Sequence, residues 1–157
     1  MSGFIGEYDC KVDAKGRFML PAGLKKQVSP KAGEKFVLNR GFEKHLVLYP
    51  YNEWEIISKQ LSKLNLFVKK NRDFVRRFNN GAIELLLDNS GRLLMPKRLM
   101  EYAGVGNEIV LFAYSNRIEL WSKDEYDKLM QEDVDDFADL AEDVMGSLTA
   151  EEDNTNE

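Results

Sequence analysis

Asp13-Ala14-Lys15-Gly16-Arg17-Phe18-Met19-Leu20-Pro21 returns 75 residues later as Asp88-Asn89-Ser90-Gly91-Arg92-Leu93-Leu94-Met95-Pro96. Asp, Gly, Arg and Pro are identical in the two copies, and the three positions after each Arg are apolar. Leu24 and Leu99 extend the match. In an Asp-x-x-Gly segment the carboxylate accepts backbone N–H groups of a type I turn, and Gly supplies the left-handed conformation that follows. Such a turn joins antiparallel strands with a bulge. Asp13, Gly16, Asp88 and Gly91 are therefore the turn-shaping residues. Pro21 and Pro96 suit the first turn of a short helix, where a missing N–H is harmless.

The repeat continues outward with small gaps. Phe36-Val37-Leu38 matches Ile109-Val110-Leu111, Leu48-Tyr49-Pro50 matches Leu120-Trp121-Ser122, and Glu53-Trp54 matches Glu125-Tyr126. Each unit reads strand, tight turn, strand, short helix, strand, turn, strand, helix. Two such units in 157 residues predict an α+β, mainly β fold with pseudo-twofold symmetry, two halves sharing one core.

Helical periodicity fills the space between the halves. Trp54, Ile57, Leu61 and Leu64 form one apolar stripe, and Phe67-Val68 marks a break. Lys69 to Phe78 then reads as a second helix, ended by Asn79-Asn80-Gly81. Five of its ten residues are Lys or Arg. It is a solvated face, a phosphate-contacting surface or an element between subunits. After the second half, Ser122-Lys123-Asp124-Glu125 has the capping-box pattern. Apolar residues from Tyr126 to Val144 predict an amphipathic acidic helix stopped by Gly146, with Ser147 to Glu157 disordered.

The formal charge of −5 hides a strong division. Residues 131–157 carry 11 acids and no Lys or Arg, which leaves 22 bases against 16 acids, a net +6, on residues 1–130. Local patches therefore say more than the total. No apolar run approaches the roughly 18 residues of a membrane span. The opening residues lack the basic and apolar regions of a signal peptide, which reads as cytoplasmic. One cysteine, Cys10, and one histidine, His45, rule out an intrachain disulfide and make a zinc site dependent on unusual carboxylates. Both are expected in structural or surface roles.

Enzymatic signatures are absent: there is no Walker A loop, G-x-G-x-x-G, H-E-x-x-H or G-x-S-x-G. Asp13 and Asp88 could pair like a carboxylate dyad across the pseudo-twofold, but each has an Arg close by, and a permanent cation opposes a shared proton. No catalytic residue, cofactor or metal is expected. The arginines retained in both copies carry more interest. Either each pairs with the Asp of its own turn, or at least one acts on a ligand. Lys15 adds a second cation at the first tip, where the second has neutral Asn89 and Ser90.

The ordered set of motifs resembles the MraZ family. It comprises the paired D-x-x-G-R-x-x-x-P segments, Phe4-Ile5-Gly6-Glu7-Tyr8, Leu48-Tyr49-Pro50 with Glu53-Trp54, Glu101-Tyr102-Ala103-Gly104, and Asn116 to Trp121. The resemblance implies an AbrB-like swapped-hairpin barrel built from tandem halves with flanking helices. It implies a ring-shaped homo-oligomer acting in the nucleoid as a transcriptional regulator, a repressor by expectation, on short G-rich direct repeats before a division and cell-wall gene cluster. It places DNA binding on the turn arginines, hence Arg17 with Lys15 beside it, and Arg92. Arg72 and Arg76 on the basic helix are expected as support. The expected division is 4–55 and 82–130 for the halves, 56–81 for the connecting helices, and 131–157 for the acidic tail. The tail lies outside the resemblance and is a candidate protein-partner segment. The alternatives are a scaffold that does not bind DNA and an AbrB-type antitoxin; the tandem repeat counts against the latter.

Overall fold

The computed structural model describes residues 3–132 and 137–155. Its strands are β1 (Phe4–Lys11), β2 (Arg17–Met19), β3 (Lys35–Arg40), β4 (Leu46–Pro50), β5 (Ile83–Leu86), β6 (Arg92–Leu94), β7 (Glu108–Ser115) and β8 (Arg117–Ser122). Its helices are α1 (Ala22–Lys25), α2 (Tyr51–Ser62), α3 (Lys69–Phe78), α4 (Lys97–Ala103), α5 (Lys123–Gln131) and α6 (Phe137–Thr155). Residues 1–126 make one compact unit and residues 127–157 a second.

In the first unit, six strands form an antiparallel sheet in the order β1-β7-β8-β4-β3-β5. Strands β2 and β6 form a separate two-stranded ribbon. The repeat is visible in the register itself. Phe36 faces Pro50 and Leu38 faces Leu48, while Ile109 faces Ser122 and Leu111 faces Leu120. The halves also exchange strands. First-half β1 pairs with second-half β7, and second-half β5 pairs with first-half β3. Tyr8 opposite Leu111 and Ile83 opposite Leu38 are the same pairing seen from each half. The pseudo-twofold passes through two places. In the ribbon, Phe18 faces its own counterpart Leu93. In the large sheet, Val47 faces its counterpart Glu119, flanked by Leu46–Leu120 and Leu48–Ile118.

This exchange refines the hairpin reading. Each Asp-x-x-Gly turn does reverse the chain, but β1 touches β2 through little more than the Val12–Phe18 bridge. The main ladders of both strands belong to the other half. That is the swapped-hairpin arrangement, and it leaves neither half with a core of its own. Phe18, Leu24, Phe36, Leu93, Leu99 and Leu111, drawn from both copies, are all almost fully buried in one cluster. Each such side chain stabilises the fold by about 1.5–3 kcal/mol.

Equivalent positions also carry equivalent contacts beside the sheet's twofold. His45 stacks on Trp121 at 4.4 Å, and its counterpart Arg117 lies 5.4 Å over Tyr49, the counterpart of Trp121. His45 is buried, and burial above all pushes its pKa below the ordinary histidine value. Gly41 is required there, because a Cβ would fall 2.2 Å from the His45 ring. Cys10 is half-buried in β1, and burial raises its thiol to about 11, which leaves it protonated at neutral pH.

The helices between the halves agree with the periodicity. At the start of α5 the Ser122 hydroxyl accepts the Glu125 N–H at 3.0 Å. Pro21 and Pro96 stand one position earlier than expected, as the N-cap residues of α1 and α4. The C-terminal expectation is corrected. Helix α6 continues through Gly146 to Thr155, so Gly146 does not stop it and Ser147 to Thr155 are helical. One glycine costs about 1 kcal/mol against alanine. With helix formers such as Met145, Leu148 and Ala150 on both sides, that is too little to end the helix. Residues 133–136, inside the expected helix, and 156–157, in the expected disordered end, lie outside the described residues.

Candidate nucleic-acid interface

The two turns are built alike, atom for atom. Asp13 Oδ1 accepts the N–H groups of Lys15 (3.0 Å) and Arg17 (2.9 Å), and Oδ2 accepts Arg17 Nε at 2.8 Å. Asp88 Oδ1 accepts Ser90 (2.9 Å) and Arg92 (2.8 Å), and Oδ2 accepts Arg92 Nε at 3.0 Å. Gly16 and Gly91 close the turns onto the Asp carbonyls at 3.0 Å, with φ of 93° and 79°. The Arg17 N–H is the main reason Asp13 is held below its ordinary carboxylate pKa, and the Arg92 N–H does the same for Asp88. Both carboxylates are thus ionised at neutral pH, and the carboxylate-dyad alternative has no support in this geometry.

The turns are tied to each other across the twofold. Leu20 N–H donates to Gly91 O at 3.1 Å, and Met95 N–H donates to Gly16 O at 2.9 Å. Between them lies the ribbon, with Arg17 opposite Leu94 and Met19 opposite Arg92. Strand alternation divides its residues. Phe18 and Leu93 point into the core, while Arg17, Met19, Arg92 and Leu94 share the outer face.

Each arginine is clamped to the Asp of its own turn and also available to a ligand. Its Nε is committed, which fixes the plane of the guanidinium. Among the described residues its two Nη groups have no hydrogen-bond partner, and the side chains keep 31% and 33% of their surface exposed. A guanidinium held by one edge presents the other as a ready fork for a phosphate or a guanine O6/N7 edge. Lys15 stands exposed at the first tip. Its charge makes that turn net positive, while Asp88 and Arg92 cancel at the second. A two-stranded ribbon is one of the elements that fit the DNA major groove.

The basic helix α3 is not brought to this face by any contact described. Arg72 Nη1 donates to the carbonyls of Leu66 and Phe67 at 2.9 and 3.0 Å, bracing the turn between α2 and α3. Lys69 and Arg76 pair with Asp73. The aromatic contacts of Phe78 run to Trp54, Phe42 and Phe74. Charge counting cannot see that Arg72 is committed to backbone carbonyls. Met19 and Leu94 are the feature the motif reading passed over. Three apolar residues after each Arg register only as hydrophobic, whereas their alternation buries the first and third and turns the second outward.

Comparison with known proteins agrees with the architecture. The family described as "MraZ protein, putative antitoxin-like" matches the chain twice, over residues 4–77 and 78–147. A protein of Christiangramia forsetii named transcriptional regulator MraZ is 49% identical over 148 residues, 94% of this chain and 96% of the relative. The protein of that name from Flavobacterium psychrophilum is 49% identical over 153 residues, 97% and 98% of the two chains. That of Cytophaga hutchinsonii is 45% identical over 142 residues, 90% and 94%. With a double match across tandem halves and near full-length similarity to these relatives, the chain belongs to the MraZ family.

Proposed function

We propose that this chain is a DNA-binding transcriptional regulator and not an enzyme, and that the outer face of the β2–β6 ribbon is its DNA-contacting surface. The observation that carries the reading is the pair of edge-clamped arginines, Arg17 and Arg92, displayed on one ribbon of a body with net charge +6. The relatives' shared name, transcriptional regulator, supports it. Arg17 supplies base or phosphate contact, Lys15 a phosphate contact, and Arg92 a second fork. Arg72 and Arg76 act from outside this face, Arg72 chiefly by bracing the α2–α3 turn. In this reading Asp13, Gly16, Asp88 and Gly91 present the arginines without touching DNA. The protein works in the cytoplasm at the nucleoid.

One ribbon offers few contacts, so a single subunit binds weakly and with strong salt dependence. A ring of subunits on short G-rich direct repeats overcomes this. Once one subunit engages, its neighbour binds at high effective concentration, and affinity rises by roughly 10²–10⁴. Repression of the division and cell-wall gene cluster follows from occupying its promoter.

The test is binding of the purified protein to the DNA upstream of its own gene across a salt series, followed by fluorescence anisotropy. Steeply salt-dependent binding that survives removal of residues 131–157 supports the reading. A second reading, a scaffold working through the acidic tail, draws on α6, where Phe137, Leu140 and Val144 are exposed beside acidic residues. It predicts no salt-dependent binding and a protein partner lost with residues 131–157.

A further inference from the structure

Met19 and Leu94 are exposed at 51% and 52%, and they occupy the two remaining positions on the ribbon face that displays Arg17 and Arg92. Isolated apolar side chains on a surface need no explanation. These two are symmetry mates at the centre of a cationic face, and each rests on the opposite turn. Met19 Sδ lies 3.5 Å from the point a Cβ on Gly91 would occupy, and Leu94 Cδ1 lies 3.9 Å from the corresponding point on Gly16. The ribbon thus presents two apolar groups, each directly across from an arginine.

Charge complementarity selects what covers this face. An apolar protein surface would bury two guanidinium groups whose Nη atoms need acceptors, at a high desolvation cost. The major groove offers phosphate oxygens and guanine O6/N7 acceptors to the arginines. It also offers one apolar group, the C5-methyl of thymine. We propose that Met19 and Leu94 are specificity-determining residues that pack on thymine methyl groups in the major groove, next to the bases or phosphates gripped by Arg17 and Arg92. This rests on the DNA-binding reading above and extends it from affinity to sequence choice. The recognised site then contains thymine at fixed steps from the arginine contacts.

The experiment compares two duplexes of the upstream region, one with thymine and one with every thymine replaced by deoxyuracil. The exchange removes the methyl groups and keeps every hydrogen-bonding edge. Burying one methyl is worth about fourfold in affinity, and two about fifteenfold. The unmodified protein is expected to bind the uracil duplex about 4- to 15-fold more weakly. Met19→Gln combined with Leu94→Gln is expected to bind both duplexes alike, with unchanged oligomer mass. Equal binding of the two duplexes by the unmodified protein overturns the proposal without needing any variant. So does discrimination that persists in the double variant, or a change in its mass, which would assign these residues to subunit contacts. Failure of the DNA-binding reading looks different: the thymine duplex itself is not bound in a salt-dependent way, and the proposal falls with it.

Discussion

The two Asp-x-x-Gly-Arg turns share every hydrogen bond and differ in what surrounds them. The first carries Lys15 at its tip, and its Gly16 is buried, with Met95 O and Met100 Sδ 2.9 and 3.0 Å from where a Cβ would be. The second carries Asn89 and Ser90, and its Gly91 has only Met19 Sδ nearby, at 3.5 Å. A duplicated scaffold has thus kept two geometrically equal arginines while charging one end of the ribbon and not the other. The difference teaches that the pseudo-symmetry holds for the hydrogen bonds that fold the turns and is broken in the charge at their tips. A strictly twofold ribbon would suit an inverted repeat; one with a single cationic tip suits sites that all point the same way.

The largest expected effect comes from separating the two arginines. Arg17→Ala should keep the fold and lower affinity for the upstream DNA by roughly 5- to 150-fold, the range of one bidentate contact. Arg92→Ala should cost several-fold less, because no second cation at that tip helps to hold DNA against it. Anisotropy titrations of both variants at one fixed salt concentration measure the ratio. Equal losses would show that the ribbon reads DNA symmetrically, and unchanged binding in Arg17→Ala would remove the turn from the interface.

Folding should separate the turns in a different currency. Both glycines hold positive φ, which costs a side chain about 1–2 kcal/mol. At Gly16 a methyl also meets the Met95 carbonyl at 2.9 Å, the same residue whose N–H is bonded to Gly16 O. Gly16→Ala should therefore destabilise by about 3 kcal/mol and Gly91→Ala by about 1–2 kcal/mol. Denaturant midpoints at unchanged m-value check this. If the two variants melt alike, the tighter packing of the first turn has no energetic weight.

Most of this asymmetry was open to inspection in the sequence, but its structural setting was not. The Asp, Gly and Arg identities impose the same local bonds wherever they occur, so the turns, the offset of 75 and the matched strands could be read directly. Periodicity tells which face of a strand is buried and is silent about its neighbour. That β1 crosses to β7 and β5 to β3 came from the family resemblance and from the fold, not from the residues. Spacing alone does not decide between pairing with the turn Asp and acting on a ligand, because an Asp four residues away can hold Nε without consuming the fork. Charge density leaves α3 open as a solvated face, a phosphate-contacting surface or an element between subunits, and it does not show that Arg72 donates to the Leu66 and Phe67 carbonyls six and five residues back, a contact no spacing rule anticipates. His45 looked equally suited to a surface. Its burial depends on Gly41 leaving room beside Trp121, two positions that sequence separates by 80 residues.

The smallest effect tests the direction of the ribbon itself. Lys15→Ala should weaken binding only modestly at low salt. A single phosphate contact contributes close to one unit to the slope of log K against log salt, so that slope should become shallower by about 0.9 per DNA-engaged subunit. Ser90→Lys is the reciprocal change. It gives the second tip the same exposed cation at the same turn position, and neither side chain is buried or shapes the backbone. Affinity for any DNA should rise, because one phosphate contact is gained. Preference for a direct repeat over the same half-sites placed head to head should fall, because the two ends of the ribbon become alike in charge. Binding of the Ser90→Lys protein to both arrangements decides it. If the preference for direct repeats survives intact, direction comes from the way subunits are arranged around the assembly and not from the unequal turns within each chain.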